Sequence, residues 1–501
     1  MFSKVSTCGL TGLDGYLIEV ETDLSNGIPA FDLVGLADIS VKEARERVRA
    51  AVKNSGFDFP IKRLTVNLAP AHIRKEGTGF DLPMAIGILT ASEVIAKEAV
   101  AGYLITGELA LDGTIRPVSG VLCKAIAARE LQFKKLMIPA ENAVEASLIK
   151  DLEIYPVHSL SEAVAHFKGI HILEPSRGQT ATYSQELSSG GDFREVRGQR
   201  HVKRALEVAA SGGHNLLMTG SPGSGKTMLA RRLPSILPAL TFEEALETTK
   251  IYSVAGLLPP NAPLISRRPF RSPHHTGSST SLIGGGRIPR PGEVSLAHNG
   301  VLFLDEIPEF GRSTLDVLRQ PLEDGFTSIS RVHASVSYPS RFMLIGAANP
   351  CKCGYYGDES QPCTCSEKEA RSYQGRLSGP IRDRFDLCVR VPTLKYEEIL
   401  SNQPEESSDT IRRRVDQVRS MQQIRYQGLS IYSNAGLSGE HIRKFCVLDP
   451  EAGRLLKSAF EHMHLSARAH DRILKVARTI ADMEQSETIK APHLAEAVQY
   501  R

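Results

Sequence analysis

No apolar run in the 501-residue chain approaches the roughly 18 residues that a membrane helix needs. The opening residues, Met1-Phe2-Ser3-Lys4-Val5-Ser6, lack the apolar core of a secretory signal. A disulfide framework is missing too. Cys8, Cys123, Cys388 and Cys446 are scattered, and the other four cysteines crowd between Cys351 and Cys365. Together these absences exclude membrane-spanning and disulfide-stapled secreted classes, and they lead us to expect a soluble protein of the reducing cytoplasm. Charge of one sign is also scarce. The 60 Lys and Arg nearly balance 57 Asp and Glu, for a net charge of +3, so any nucleic-acid surface must be a local patch. No repeat of solenoid period is present. Apolar and charged fractions of 41% and 23% are those of an ordinary globular protein. The length is too great for one core and suggests about three domains.

The chain is organised around Gly220-Ser221-Pro222-Gly223-Ser224-Gly225-Lys226-Thr227. This stretch follows the apolar residues 215–218 and opens a helix-like segment, which is the strand–turn–helix context of a P-loop. Glycines let the backbone turn tightly enough to aim successive N–H groups at phosphate oxygens, and the helix N-terminus adds partial positive charge. Lys226 is then expected at the β- and γ-phosphates of ATP, with the Thr227 hydroxyl on Mg²⁺. Upstream, residues 198–210 are amphipathic at helical spacing. Downstream, Val301-Leu302-Phe303-Leu304 is an apolar run ending in Asp305-Glu306, as a buried parallel strand would end. With a P-loop upstream it reads as a Walker B strand, Asp305 holding Mg²⁺ and Glu306 polarising the attacking water. A third strand, residues 341–348, ends in Asn349, whose amide can also orient water. Cys351 and Cys353, then Cys363 and Cys365 nine residues on, supply four thiolates for a structural Zn²⁺, in a spacing tighter than the usual zinc pattern.

The first 172 residues mix short strands with helices. Residues 63–68 and 135–139 read as strands, and residues 41–52 as a helix capped by Ser40. Residues 106–120 form a hairpin pattern around Asp112-Gly113. That hairpin, the following Val121-Leu122-Cys123-Lys124 and the later Ile138-Pro139-Ala140-Glu141-Asn142 resemble the proteolytic domain of Lon proteases. There a Ser–Lys dyad does the chemistry. Lys124 falls on the lysine position, but Gly79 stands where the serine belongs, with Thr78 one step away. The resemblance therefore implies a Lon-like fold, of the ribosomal S5 domain 2-like kind, without peptidase activity, and a structural or charge-binding role for Lys124.

The whole series resembles the magnesium-chelatase-like branch of the AAA+ ATPases, and within it the YifB/ComM family. The most specific stretches are residues 268–276, Gly284-Gly285-Gly286 leading to residues 292–300, and residues 349–354. The resemblance implies a multidomain α/β protein: a Lon-like α+β domain (1–172), a linker (173–193), an AAA+ P-loop core (194–392) and a C-terminal helical lid (393–501). It implies that Asn349 is a sensor 1 residue. Arg384, in residues 379–387, would reach the γ-phosphate bound by a neighbouring subunit, stabilising the transition state with a fixed charge. Arg384 and Arg382 could instead be surface charges pairing with Asp383 and Asp386. Arg468, with Arg472 as the fallback, would be the sensor 2 arginine that contacts the γ-phosphate in the same subunit. The implied function is an ATP-hydrolysing homo-hexamer that moves on single-stranded or branched DNA and drives branch migration in recombination of DNA taken up by transformation, with recombination proteins as further partners. The rival is a chelatase-like ATPase that remodels a partner protein. Local chemistry favours a polynucleotide. Arg267, Arg268, Arg271, Arg287 and Arg290 lie in a Gly-, Ser- and Pro-rich insertion suited to phosphate contacts. His274-His275 in that insertion reads as a loop or intersubunit feature. Residues 327–338 alternate around Arg331, with His333 beyond it, and read as a hairpin of the kind that related motors project into a central pore.

Overall fold

The computed structural model describes residues 1–177, 191–259, 264–286, 289–331, 334–358, 361–394, 398 and 404–501, with the side chains of Arg177, Arg331 and Ala334 outside that description. Arg287 and His333 also fall outside it. Among the described residues, no helix is long and apolar enough to cross a membrane.

Ten strands come from the first part of the chain: Phe2–Thr11 (β1), Asp14–Ser25 (β2), Ala30–Val34 (β3), Arg63–Ala69 (β4), Tyr103–Ile105 (β5), Glu108–Leu109 (β6), Ile115–Arg116 (β7), Lys135–Pro139 (β8), Glu153–Val157 (β9) and Ser176–Arg177 (β10). Eight of them form one mixed sheet in the order β10-β9-β8-β5-β1-β2-β4-β3, and β6 and β7 make the separate hairpin expected around Asp112. Helices Ile39–Asn54 and Asp81–Ala91 pack on the sheet, and every residue of the second is buried, as befits a helix apolar all round. Two expectations change. The cap of Ile39–Asn54 is Asp38, whose carboxylate accepts from the Val41 N–H, whereas Ser40 lies inside the helix and donates to Asp38. Part of the expected linker is structured. Leu173 joins the domain core and β10 adds an antiparallel edge to β9, so residues 178–190 are what remains outside the description.

The second sheet is five-stranded and wholly parallel. It is built from Leu216–Gly220 (β11), Phe270–Arg271 (β12), Val301–Leu304 (β15), Met343–Ala348 (β18) and Leu387–Val391 (β19), in the order β12-β15-β18-β11-β19. Between them in sequence lie two small hairpins, Gly284–Gly285 (β13) with Arg290–Pro291 (β14), and Phe326–Arg331 (β16) with Ala334–Pro339 (β17). All residues of β15 and β18 are buried, which explains their unbroken apolar sequence. Because the strands are parallel, the residues that follow β11, β15 and β18 emerge at one edge, where open α/β sheets bind ligands.

The C-terminal helices Ser408–Arg425, Pro450–His462, Ala467–Met483 and Ala491–Gln499 share a core with helix Arg200–Gly212 and with one face of the parallel sheet. Polar contacts join them: Gln422 Nε2 donates to Ser211 O at 3.1 Å, and Arg204 forms an ion pair with Glu496 at 2.9 Å. The N-terminal domain docks on helix Phe242–Ala255. Gly120 N–H donates to Ser253 O at 2.9 Å, and the Ser253 hydroxyl donates to the buried Glu145 carboxylate at 2.6 Å. Burial pushes the Glu145 carboxyl above the usual range, against the hydrogen bonds from Ser253, Asn142 and Leu122.

Candidate functional site: a P-loop pocket and an arginine cluster

β11 ends at Gly220, and the chain turns through Ser221, Pro222, Gly223, Ser224 and Gly225 into helix Lys226–Arg232. Gly223 and Gly225 hold φ of 78° and 92°, left-handed values that side chains with a Cβ rarely adopt. Lys226 is buried. Its ammonium donates to Gly220 O at 2.8 Å and Ser221 O at 2.9 Å, and lies 3.5 Å from Ser224 Oγ and 3.2 Å from Asn349 Oδ1. Desolvation lowers the Lys226 pKa, while Asp305 and Glu306 oppose that shift. The Thr227 hydroxyl donates to Asp305 Oδ2 at 2.7 Å. A hydroxyl and a carboxylate held together beside a glycine-rich turn are hard oxygen donors, which suits Mg²⁺. Glu306 follows in a left-handed conformation, φ 50°, with its carboxylate half exposed. Residues from three strand ends thus meet in one place.

The four-cysteine loop adjoins this pocket. Sγ of Cys351, Cys353, Cys363 and Cys365 all lie within 4.8 Å of one another. Three measured separations are 3.3, 3.4 and 3.7 Å. A disulfide needs about 2.05 Å, whereas sulfurs around one tetrahedral zinc with bonds of about 2.3 Å stand about 3.8 Å apart. The donor set fits zinc. Backbone N–H donation from Tyr355 brings the Cys353 thiol down to about 5, whereas burial pushes the Cys363 thiol up to about 12, so the fit to zinc rests on the sulfur geometry.

Arg384 is placed elsewhere. It pairs with Glu323, not with Asp383 or Asp386. Asp386 instead accepts from His214 and the Asn215 N–H, and Asp383 lies 3.5 Å from Arg472. Arg384 and Arg468 line a cavity of about 1150 Å³ together with Glu323, Arg419, Tyr432 and Arg472, and no residue from 220 to 227 lines it. Burial and the neighbouring guanidinium groups of Arg468, Arg472 and Arg319 push the Arg384 pKa down. Arg472 donates to Phe385 O at 3.1 Å and so flanks Arg384 directly. The structure therefore groups the expected same-subunit arginine, Arg468, and its fallback with Arg384 instead of with Lys226. The lid packs behind the sheet, on helix Arg200–Gly212, and its arginines follow it there. Nε of Arg384 and Nε of Arg319 are buried without a hydrogen-bond acceptor among the described residues.

Of the arginines in the insertion, two are taken up internally. Arg268 donates to Pro238 O, Asn299 O and Glu244, and Arg271 makes a bidentate pair with Glu293. Arg290 remains exposed, on β14. Arg331 pairs with Ala334 on the last rung of the β16–β17 ladder, next to the turn. The two hairpins touch: the Tyr338 hydroxyl donates to Pro289 O at 2.9 Å, and a Cβ on Gly284 would stand 2.9 Å from Ile329 Cδ1. The N-terminal domain reaches this place too, with Leu13 packed on the Ile329, Val336 and Tyr338 cluster.

Sequence reasoning did not find Asp358, which accepts from the Ser221 hydroxyl, or Glu323. His275, read as a loop or intersubunit feature, stands with Nδ1 3.7 Å from Glu306 Oε2. Asp358 lies seven positions past Cys351, inside the stretch that the four cysteines single out, and that was the one signal it carried. Glu323 carried no signal.

Comparison with known proteins bears on the whole chain. Family models of magnesium chelatase subunit ChlI match residues 192–399, 20–142 and, for its C-terminal part, 405–501. A YifB protein of Salmonella typhimurium is 45% identical over 99% of this chain and 96% of its own. The competence protein ComM of Haemophilus influenzae is 45% identical over 98% and 95%. A Lon protease of Mycolicibacterium smegmatis is 26% identical over 31% of this chain and 21% of its own.

Proposed function

The chain belongs to the YifB/ComM family of magnesium-chelatase-like proteins, and on that premise we propose that it is a cytoplasmic, hexameric AAA+ ATPase acting on DNA, a branch-migration motor for recombination of incoming DNA in competent cells. The P-loop backbone and Lys226 bind the triphosphate. Thr227 and Asp305 hold magnesium, which when bound supplies positive charge to the phosphate oxygens. Glu306 takes a proton from the attacking water and Asn349 orients it. Arg384, with Arg468 beside it, serves the nucleotide of the next subunit, where a fixed charge stabilises the transition state. What supports action in trans is that Arg384 and Arg468 line a cavity to which no residue from 220 to 227 contributes, so their charge is placed away from the P-loop of their own chain. The Lon-like domain without its serine is a docked scaffold, and the four cysteines hold a structural zinc.

The DNA reading is carried by one observation. The β16–β17 hairpin, whose last ladder position on β16 is Arg331, is joined to the β13–β14 hairpin that bears the exposed Arg290, so the two arginine-bearing segments form one joined pair of hairpins. In a ring this cluster repeats in every subunit, and phosphate contacts of this kind are indifferent to base sequence and weakened by salt. Arg331→Ala should bring the ratio of DNA-stimulated to basal ATP hydrolysis towards one and stop branch migration of a synthetic junction. It should also lower the salt slope of DNA affinity by about one for each phosphate no longer neutralised. A protein-remodelling ATPase gives another result: wild-type hydrolysis that DNA leaves unchanged.

A further inference from the structure

Past Asn349 the chain enters the four-cysteine loop, and the loop folds back onto the P-loop. Gly354, at φ 92°, lies so near Pro222 that a Cβ there would stand 2.4 Å from Pro222 Cδ and 2.5 Å from Cγ. Four residues on, the Asp358 carboxylate accepts from the Ser221 hydroxyl and, at 2.9 Å, from Thr393 Oγ1. Gly357 O accepts from the Arg390 guanidinium, and Pro350 O from Gln374 Nε2 at 2.9 Å. The loop therefore grips the two P-loop residues that precede Gly223, and it is tied to the core at three other points.

We propose that the four-cysteine loop is a wall of the nucleotide site, and that Asp358 is a positioning residue which, by holding Ser221, sets the first turn of the P-loop for phosphate binding. The inference rests on reading residues 220–227 as the ATP site and the cysteine cluster as a zinc site. A glycine-rich turn has many conformations, and its phosphate-binding one must be selected either before or during binding. Leaving one residue unfixed costs about tenfold in affinity. Gly354 supplies close contact and Asp358 a directed one. The cysteine cluster lies at the base of the loop, so a metal there closes it into a short ring and limits how far Asp358 can wander.

Full-length protein titrated with a fluorescent ATP analogue, mant-ATP, provides the test. Asp358→Ala and Ser221→Ala should each raise its Kd about tenfold, and the double variant should be no worse than either single one, as two ends of one contact require. Asp358→Asn keeps an acceptor for Ser221 and should recover most of the affinity. In Asp358→Ala the loss should fall on KM for ATP far more than on kcat, whereas a general loss of folding lowers kcat. Its zinc content by elemental analysis should match the wild type. Wild-type affinity in both single variants, or fully additive losses in the double, overturns the proposal while leaving the zinc reading intact. Wild-type protein that holds no zinc, yet loses affinity on Asp358→Ala, overturns the zinc reading and keeps Asp358 in its role.

Discussion

Two buried lysines, Lys124 and Lys226, show how little the residue itself decides. Each lies 7 to 8% exposed, and in each desolvation lowers the pKa. Lys124 donates to Thr106 Oγ1 at 2.9 Å, and a Cβ on Gly79 would stand 2.9 Å from both Lys124 Nζ and Thr106 Oγ1. The place a nucleophile would need is thus filled by a lysine–threonine contact. Lys226 faces backbone carbonyls and Asn349, with Asp305 and Glu306 close enough to favour its charged form. Lys124 donates to a threonine hydroxyl with the buried Glu145 as the acid that favours its charge, whereas Lys226 is held among backbone carbonyls, an amide and two acids beside a glycine-rich turn.

The contrast is sharpest in activity. Lys226→Ala should lower kcat/KM for ATP by about 10³, and Lys124→Met should leave it at the wild-type value; comparable losses in both would break the distinction. Arg384→Ala should lower hydrolysis by about 10³ while ATP still binds. Mixing it with Lys226→Ala protein should restore part of the activity, because some interfaces then combine an intact pocket with an intact arginine. A mixture as inactive as its parts would count against Arg384 acting on a neighbour. Stripping metal from the cysteine cluster should lower Tm by about 1 to 2 °C, the effect of about 1 to 2 kcal/mol in a chain of this size; an unchanged melt with chelator, followed by calorimetry, would remove the site.

The smallest effect concerns pH. The folded-state pKa of Lys124 lies below its unfolded value, so the unfolded chain binds more protons and stability should rise with pH towards the ordinary lysine value of about 10.4. Lys124→Met removes that rise, so the Tm of the variant should climb less steeply with pH than that of the wild type. A melt whose pH dependence is the same in both proteins would mean that Lys124 is charged in the fold. Neither protein should cleave casein.

Legibility in the sequence followed locality. Strands β4, β8, β11, β15 and β18, the Asp112 hairpin and helix Arg200–Gly212 were readable because each satisfies a pattern of a few adjacent residues. Helix Ile39–Asn54 was readable but its cap was not. Asp38 and Ser40 are both good capping residues, and only backbone geometry chooses between them. The cysteine cluster was visible as four rare residues close together. That Arg468 lies beside Arg384 was not readable, because the helix pattern does not record which element the helix packs against.

By itself, then, the sequence determined which groups exist: a turn able to hold phosphate, two carboxylates at a strand end, four thiols, and a glycine where a hydroxyl would have been needed. Those are properties of short segments, set by φ, by side-chain chemistry and by the period of burial. Tertiary structure alone decided which groups face one another. It turned Arg268 and Arg271 inward and left Arg290 exposed, gathered Arg384, Arg468 and Arg472 around one cavity, and laid Asp358 on Ser221 across a separation of 137 residues. Contacts over such distances depend on the packing of whole layers, and no local pattern records them.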